Sequence, residues 1–395
     1  MKITSDLFAA FLRCPTKCYL RSLGEPETGN EYAHWVQAQA EAYQAAGVEC
    51  LRRNTPQDEC FTSPSLDQLK RAKWGLVVDV LAGTETLEIR IHALERVPPL
   101  AQGKAAQFVP IRFVPNNKLG RDDNLLLGFD ALALSGMLGR KIDFGRIVHG
   151  DEQVTVKVKT HAPVGEVRKL AEKAAGLLAS ASPPDLVLNR HCGECEFQAR
   201  CKEKAVEKDD LSLLANMKDK ERKKLNSEGI FTVTQLSHTF RPRRRPKRLR
   251  DKREKYHHAL KALAIREKKI HIVDRPELKI DGTPVYLDGE SLPDRDFYYL
   301  IGLRVRTTDA MVQHSFWADG LADEKKAWSD FLAVLAAIEK PVLIHYGSFE
   351  TTLLRRMSER YGAPPFFRNG SFWWGFCRYS GAQCSFVLAG REPNR

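Results

Sequence analysis

Two groups of residues in this chain have types and spacings that could do chemistry. The first is Cys192-x2-Cys195-x5-Cys201. A tight C-x2-C turn presents two thiolates to one metal, and a third follows within a helical turn or two. The fourth ligand must be remote. Cys14, followed directly by Pro15 at the end of a short apolar segment, is the expected one, with Cys18 as its rival. Three clustered thiolates plus one distant thiolate suit a [4Fe–4S] cluster and equally suit structural zinc. Cys50 and Cys60 read as ordinary core or surface thiols. The second group is acidic: Asp288-Gly-Glu290, and further on His345-Tyr-Gly-Ser-Phe-Glu350. Residues i and i+2 of a strand point to one face, so Asp288 and Glu290 can converge on a divalent cation. Glu350 is the expected third ligand. Such carboxylates, holding Mg²⁺ or Mn²⁺, activate a water and stabilise a leaving oxygen.

Elements must hold these groups in place. The segment Leu7 to Leu12 reads as a short helix that ends at Cys14-Pro15. From Thr283 onward the pattern predicts strands over Pro284–Asp288, Phe297–Arg306 and Met311–Trp317. A helix is expected over about 324–339, a buried strand over Pro341–Tyr346, and a helix from Phe349 to about Tyr361. This order, βββαβα, places Asp288 and Glu290 at the end of the first strand and Glu350 at the start of the last helix. The final 27 residues, from Asn369, hold six aromatics and Cys377 and Cys384 without a usable period. They read as an atypical tail, expected to be a truncated or frame-shifted end, with neither cysteine a ligand.

Several segments resemble known families. Cys14-Pro, the strand segment Phe108-Val-Pro-Ile-Arg-Phe-Val-Pro, the helix from Leu125, the strand from Gly145 and C-x2-C-x5-C follow one another as in the iron–sulfur branch of the RecB-type nucleases, which includes CRISPR-associated and AddB-like nucleases. This resemblance covers residues 1–205 and implies a PD-(D/E)XK, restriction-endonuclease-like fold. Its catalytic signature is replaced here. His92 stands where an Asp is expected, Arg112 where the Glu is expected and Val114 where the Lys is expected. A cation and an alkyl group do not hold Mg²⁺, so this half is expected to bind without cutting. Asp122, Asp123 and Asp130 are nearby carboxylates that could be recruited. Residues 206–240 resemble a helix-hairpin-helix module bent at Gly229, with Lys220, Arg222 and Lys223 among the candidates for phosphate contacts; a plain helical connector reads the same segment. Residues 281–368, with Asp288-x-Glu290, Glu350 and Leu292-Pro-Asp-Arg-Asp-Phe-Tyr-Tyr-Leu-Ile-Gly, resemble the YprB-like exonuclease branch of the RNase H-like superfamily. That resemblance implies 3′–5′ exonuclease chemistry on two metals. Its last carboxylate has no counterpart, because after Glu359 the only acidic residue is Glu392. The domain is therefore expected to be incomplete and its activity impaired. As a whole the chain resembles the RecB-like nuclease family with a C-terminal RNase H-like domain. The alternative is a non-catalytic nucleic-acid-binding or adaptor protein.

Composition agrees with a nucleic-acid partner, DNA being the expected one. The 395 residues carry 62 Lys+Arg and 50 Asp+Glu, a net charge of +12. Residues 241–255 alone hold ten basic and two acidic residues, +8 of that total. Arg243, Arg244, Arg245, Lys247 and Arg248 are the expected phosphate contacts within this stretch, which also reads as a basic linker over 241–280. The apolar run Phe331–Ile338 is far short of the ~20 residues of a membrane span, and Asp6 interrupts any signal sequence. A cytoplasmic protein with reduced cysteines and no membrane partner is expected. The overall expectation is an α/β multidomain chain.

Overall fold

The computed structural model describes residues 2–71, 73–98, 106–240, 258–269, 280–307, 310–346 and 348–363, together with the backbone of 375–377, 379–380 and 383–384. The chain is α/β with mixed sheets and divides into two units, Met1–Lys208 and Asp209–Arg395. No described helix is long and apolar enough to cross a membrane.

The first unit begins with β1 (Ile3–Thr4), α1 (Ser5–Arg13), α2 (Pro15–Ser22) and the long α3 (Glu31–Arg53). Thr4 caps α1 by accepting from the Leu7 amide, and Asn30 caps α3 through the Ala33 amide. Cys14 is extended and ends α1 while starting α2, and Pro15 supplies the first helical position. There follow β2 (Cys60–Thr62), α4 (Leu66–Arg71), β3 (Leu76–Gly83), β4 (Leu87–Val97), β5 (Gln107–Val114), α5 (Arg121–Leu138), β6 (Phe144–His149), β7 (Val154–Lys159), α6 (His161–Ala179) and α7 (Gln198–Glu207). The strands form one mixed sheet in the order β2-β3-β4-β5-β6-β7, with β1 parallel to the start of β4. β2–β3 and β5–β6 run parallel and the other neighbours antiparallel. Both faces are covered. Phe8 of α1, Leu125 and Phe129 of α5 and Val167 of α6 pack on one side with Val77, Ile89 and Ile91. On the other, Tyr43, Val48 and Leu51 of α3 cover Val78, Phe113 and Val148.

The second unit opens with a small helical cluster of α8 (Asp219–Ser227), α9 (Val233–Ser237) and α10 (His258–Glu267) around Leu211, Leu214, Val233, Leu236, Ala259 and Ala262. α10 falls within the stretch read as a linker, and it is ordered by packing its alanine face on α9. Gly229, at φ +81°, makes the bend between α8 and α9 that other residues resist. Next come β8 (Thr283–Leu292), β9 (Phe297–Arg306), β10 (Met311–Trp317), α11 (Leu321–Ala336), β11 (Pro341–Tyr346), α12 (Phe349–Tyr361), β12 (Gly375–Cys377), β13 (Tyr379–Ser380) and β14 (Gln383–Cys384). The sheet order is β10-β9-β8-β11-β12, antiparallel across β10-β9-β8 and parallel across β8-β11-β12. Trp328 and Phe331 of α11 and Leu353, Leu354 and Met357 of α12 bury one face of this sheet with Val285, Leu287, Ile301 and Leu343. Buried Glu324 ties the layer together, accepting from the Tyr298 amide at 2.8 Å and from Arg360. The expected βββαβα order is present. The aperiodic tail nonetheless contributes strands: β12 extends the sheet beside β11, and β13 pairs with β14.

Candidate functional sites

The cysteine residues converge from the two ends of the first unit. Cys14 sits at the α1–α2 junction, Cys192 in a single 3₁₀ turn over Arg190–Glu194, Cys195 just after it, and Cys201 in the first turn of α7. All four line one small cavity of about 20 Å³, bordered also by Arg13, Lys17 and His191. Cys18 does not line it; it is a fully buried residue of α2. The Asn189 amide donates to Cys192 Sγ at 3.3 Å, and the Phe197 backbone bonds the Cys195 thiol. Burial raises the thiol pKa of Cys192 and of Cys195. Burial, and then the neighbouring Cys195, Cys14 and Cys192, push Cys201 up to about 11. Mutual repulsion of this kind is what a bound cation relieves. Four sulfurs are a soft donor set that fits zinc or an iron–sulfur cluster. As placed, no three His, Cys, Asp or Glu side chains among the described residues are grouped closely enough to hold an ion; the thiols surround the cavity without closing on it. Cys50 is exposed and Cys60 half-buried, both apart from this site.

A polar frame holds the cysteine turn, and it gave no signal in the spacing of the cysteines. Glu196 is 6% exposed and binds Lys17 Nζ at 2.7 Å and Arg21 Nε at 2.6 Å, both from α2. Burial pushes its carboxyl up, but the bonds from Lys17 and Arg21 outweigh that and hold it below the usual range. Asn30 donates to the Gly193 and Cys195 carbonyls at 3.0 Å, and the Thr28 amide donates to the Glu196 carbonyl. Lys17 and Arg21 lie within α2 while Thr28 and Asn30 precede α3, and only the fold brings them to Cys195.

The centre of the first sheet is closed by an ion pair. Arg112 forks onto Asp130 of α5, Nε to Oδ2 at 3.0 Å and an NH2 group to Oδ1 at 2.9 Å, with Asp130 2% exposed. Burial raises the Asp130 carboxyl against the pull of Arg112. His92 accepts from the Phe113 amide at 3.4 Å. Asp123 accepts from the Gly120 amide at the start of α5. Asp130 and Asp123 thus have structural partners, and with Asp122 they form no metal-holding group among the described residues.

In the second unit the acidic residues are not gathered together. Strand alternation buries Val285, Leu287 and Gly289 and exposes Tyr286, Asp288 and Glu290. Gly289 lies directly beneath Leu353 of α12, where a Cβ would collide with it, so Asp288 and Glu290 point to the face away from the helices. Glu350, by contrast, is 4% exposed, with Oε2 3.4 Å from His345 Nδ1. His345 shares the alternation of Leu343, whose side chain is in the helix-covered core. Asp288 and Glu290 therefore face one way and Glu350 the other, and the expected three-carboxylate site is not assembled. The reason is the helix packing on β8, which the motif alone does not disclose. The open face also holds groups outside the carboxylate motif. The strand register sets Leu300 and Trp317 beside Glu290, Gly302 and Ser315 beside Asp288, and Arg304 and Gln313 beside Tyr286. Tyr286 (39%) and Trp317 (62%) are exposed aromatic residues, and Arg304 and Arg306 are exposed cations.

Of the helical candidates, Lys220 is exposed. Arg222 is largely buried and bonds Asp219, and Lys223 pairs with Asp219 at 2.8 Å. The amides of the bend are occupied internally: Gly229 and Ile230 by carbonyls of α8, Phe231 and Thr232 by the Gln235 side chain, Val233 and Thr234 by Asp209. A hairpin of this kind has no amide left for a phosphate. Arg243, Arg244, Arg245, Lys247 and Arg248 lie outside the described residues.

No family model matches the chain. No curated protein matches it. Among solved structures, one described as the crystal structure of SSO0001 matches over 51% of this chain and 86% of that chain, at 15% identity and a TM-score of 0.28. A likeness of that size identifies neither fold nor activity.

Proposed function

We propose that this chain is a nucleic-acid-binding protein of the RecB-like nuclease type, with a PD-(D/E)XK-like first unit and an RNase H-like second unit, that binds strands without cutting them efficiently. The observation that carries this reading is the open face of the second sheet. Trp317 and Tyr286 offer ring faces to bases, Arg304 and Arg306 offer charge to phosphates, and the net charge of +12 favours the encounter. Two-metal hydrolysis needs carboxylates on both sides of each ion. Asp288 and Glu290 supply one exposed pair, and Glu350 is turned inward to His345. Arg112 occupies the first unit's centre, where a metal would need negative charge.

Cys14, Cys192, Cys195 and Cys201 would hold a [4Fe–4S] cluster or zinc. Such a group would join the two ends of the first unit, and its binding energy would stabilise the folded state. Anaerobically purified protein is expected to be brown, absorbing near ~400 nm; a colourless protein with one zinc replaces the cluster assignment. The functional test is incubation of labelled single- and double-stranded DNA with Mg²⁺ and Mn²⁺, followed by anisotropy on the same strands. Binding with little or no degradation is expected. Degradation that Asp288→Ala abolishes would make the second unit an active exonuclease and overturn the binding-only reading.

A further inference from the structure

Strand β7 is the last strand of the first sheet, and its pairing with β6 sets Phe144 opposite Lys159 and Arg146 opposite Lys157. The alternate residues, Ile147 and Val158, pack with Leu127 of α5. On the other face α3 covers Val148 but leaves the Phe144 end open. There Lys141, Asp143, Phe144, Lys157, Lys159 and His161 border a cleft of about 340 Å³.

The cleft carries three lysines against one carboxylate, Asp143. Asp143 pairs with Lys141 at 3.4 Å. Lys157 and Lys159 form no ion pair with a described carboxylate, and Lys157 Nζ instead lies 3.8 Å over the Phe144 ring. A second feature adds to the same sign. The Thr160 hydroxyl is buried and donates to the Ile142 carbonyl, so it does not cap α6, and the first turn of α6 contains no acidic residue. The positive end of that helix therefore adds to the lysines rather than being neutralised. Lysines on a last strand also discourage sheet-to-sheet pairing. That role accounts for Lys157 and Lys159. It does not require Lys141 or the acid-free helix start beside them.

We propose that this cleft is a phosphate-binding site, taking the backbone phosphate of a nucleic-acid strand or a free phosphate through Lys141, Lys157 and Lys159. The site lies on the first unit, and its nucleic-acid form rests on the function proposed above. The test uses the full-length chain and the variant Lys157→Ala/Lys159→Ala. The control is Lys70→Ala/Lys325→Ala, which removes the same charge from exposed lysines outside the cleft. The probes are a fluorescein-labelled 20-nucleotide single strand, read by anisotropy across a salt series, and inorganic phosphate, read by calorimetry. The cleft variant should lower the log–log salt slope by about 1.4, two contacts at about 0.7 each on a single strand, while the control changes it less. If only phosphate binding falls in the cleft variant, the site takes free phosphate, and the proposal stands in that form. If the wild-type chain fails to bind the strand, the proposed function fails and the phosphate arm alone decides this site. If neither probe distinguishes the cleft variant from the control, the proposal is overturned and the lysines only protect the strand.

Discussion

His92 and Arg112 show how single residues fix the character of the first sheet. Burial, with Arg112 nearby, lowers His92 from 6.5 to about 3. The folded ring is therefore neutral, while the unfolded chain takes up the proton as the pH falls below 6.5. Stability is full above that value and is lost as the pH drops toward 3. The slope is bounded at about 1.4 kcal/mol per pH unit, and the partial exposure of His92 reduces it. Urea titrations at pH 7 and pH 5 should show wild type losing more stability than His92→Gln, which keeps an acceptor for the Phe113 amide. Equal losses would mean that other groups govern the acid limb. Arg112→Ala leaves Asp130 buried and unpaired, at a cost of roughly 3–5 kcal/mol. The double change Arg112→Met/Asp130→Leu should recover most of this in the same titration. A double variant as unstable as the single one would show that the pair is needed for more than mutual neutralisation.

At the scale of elements, the cysteine turn depends on α2 as much as on its own thiols. Glu196 meets both Lys17 and Arg21 in a nearly closed interior. Glu196→Gln keeps the shape and removes the charge, leaving two cations competing for neutral acceptors. A loss of ~3 kcal/mol is expected by denaturant melting, together with weaker retention of metal by elemental analysis. Unchanged metal content in a destabilised variant would confine Glu196 to a packing role. Cys192→Ala should remove the visible absorbance and lower the stability of residues 1–205. Substituting Cys18, which is buried outside the cavity, should leave the absorbance in place.

For the whole molecule, the charge distribution sets the behaviour. Residues 241–255 carry +8 of the total +12. A sequence-independent, salt-sensitive contribution to binding is expected from them. Changing Arg243, Arg244 and Arg245 to Ala should lower the log–log salt slope on duplex DNA by up to about 2.7, three contacts at about 0.9 each. The measurement is anisotropy over a salt series, and an unchanged slope would make this stretch a linker. Because the changed residues differ from Lys157 and Lys159, the two sets should add when combined if they touch separate phosphates.

The second unit's element order, from Thr283 to Tyr361, is legible in the residues alone, because strand and helix periods there are uninterrupted and the turns between them are short. The grouping of Cys192, Cys195 and Cys201 is legible too, since C-x2-C-x5-C is a local spacing, while the choice of Cys14 over Cys18 beside them is made by the cavity they line. Local pattern could not decide which side of a strand a side chain faces once two sheets and their helices are packed. The alternation of Asp288 and Glu290 was legible in the sequence. Only α12, seated on Gly289, decided that they face away from the helices while Glu350 turns inward to His345. The Arg112–Asp130 pair, the Glu196 frame and the lysine cleft likewise join residues from different elements. In the first two the partners are chosen by tertiary packing, in which a buried charge must find an opposite charge wherever the fold supplies one. Strand β12 of the tail is also placed by the tertiary structure: β11 offers an open edge, and backbone pairing with that edge needs no side-chain period.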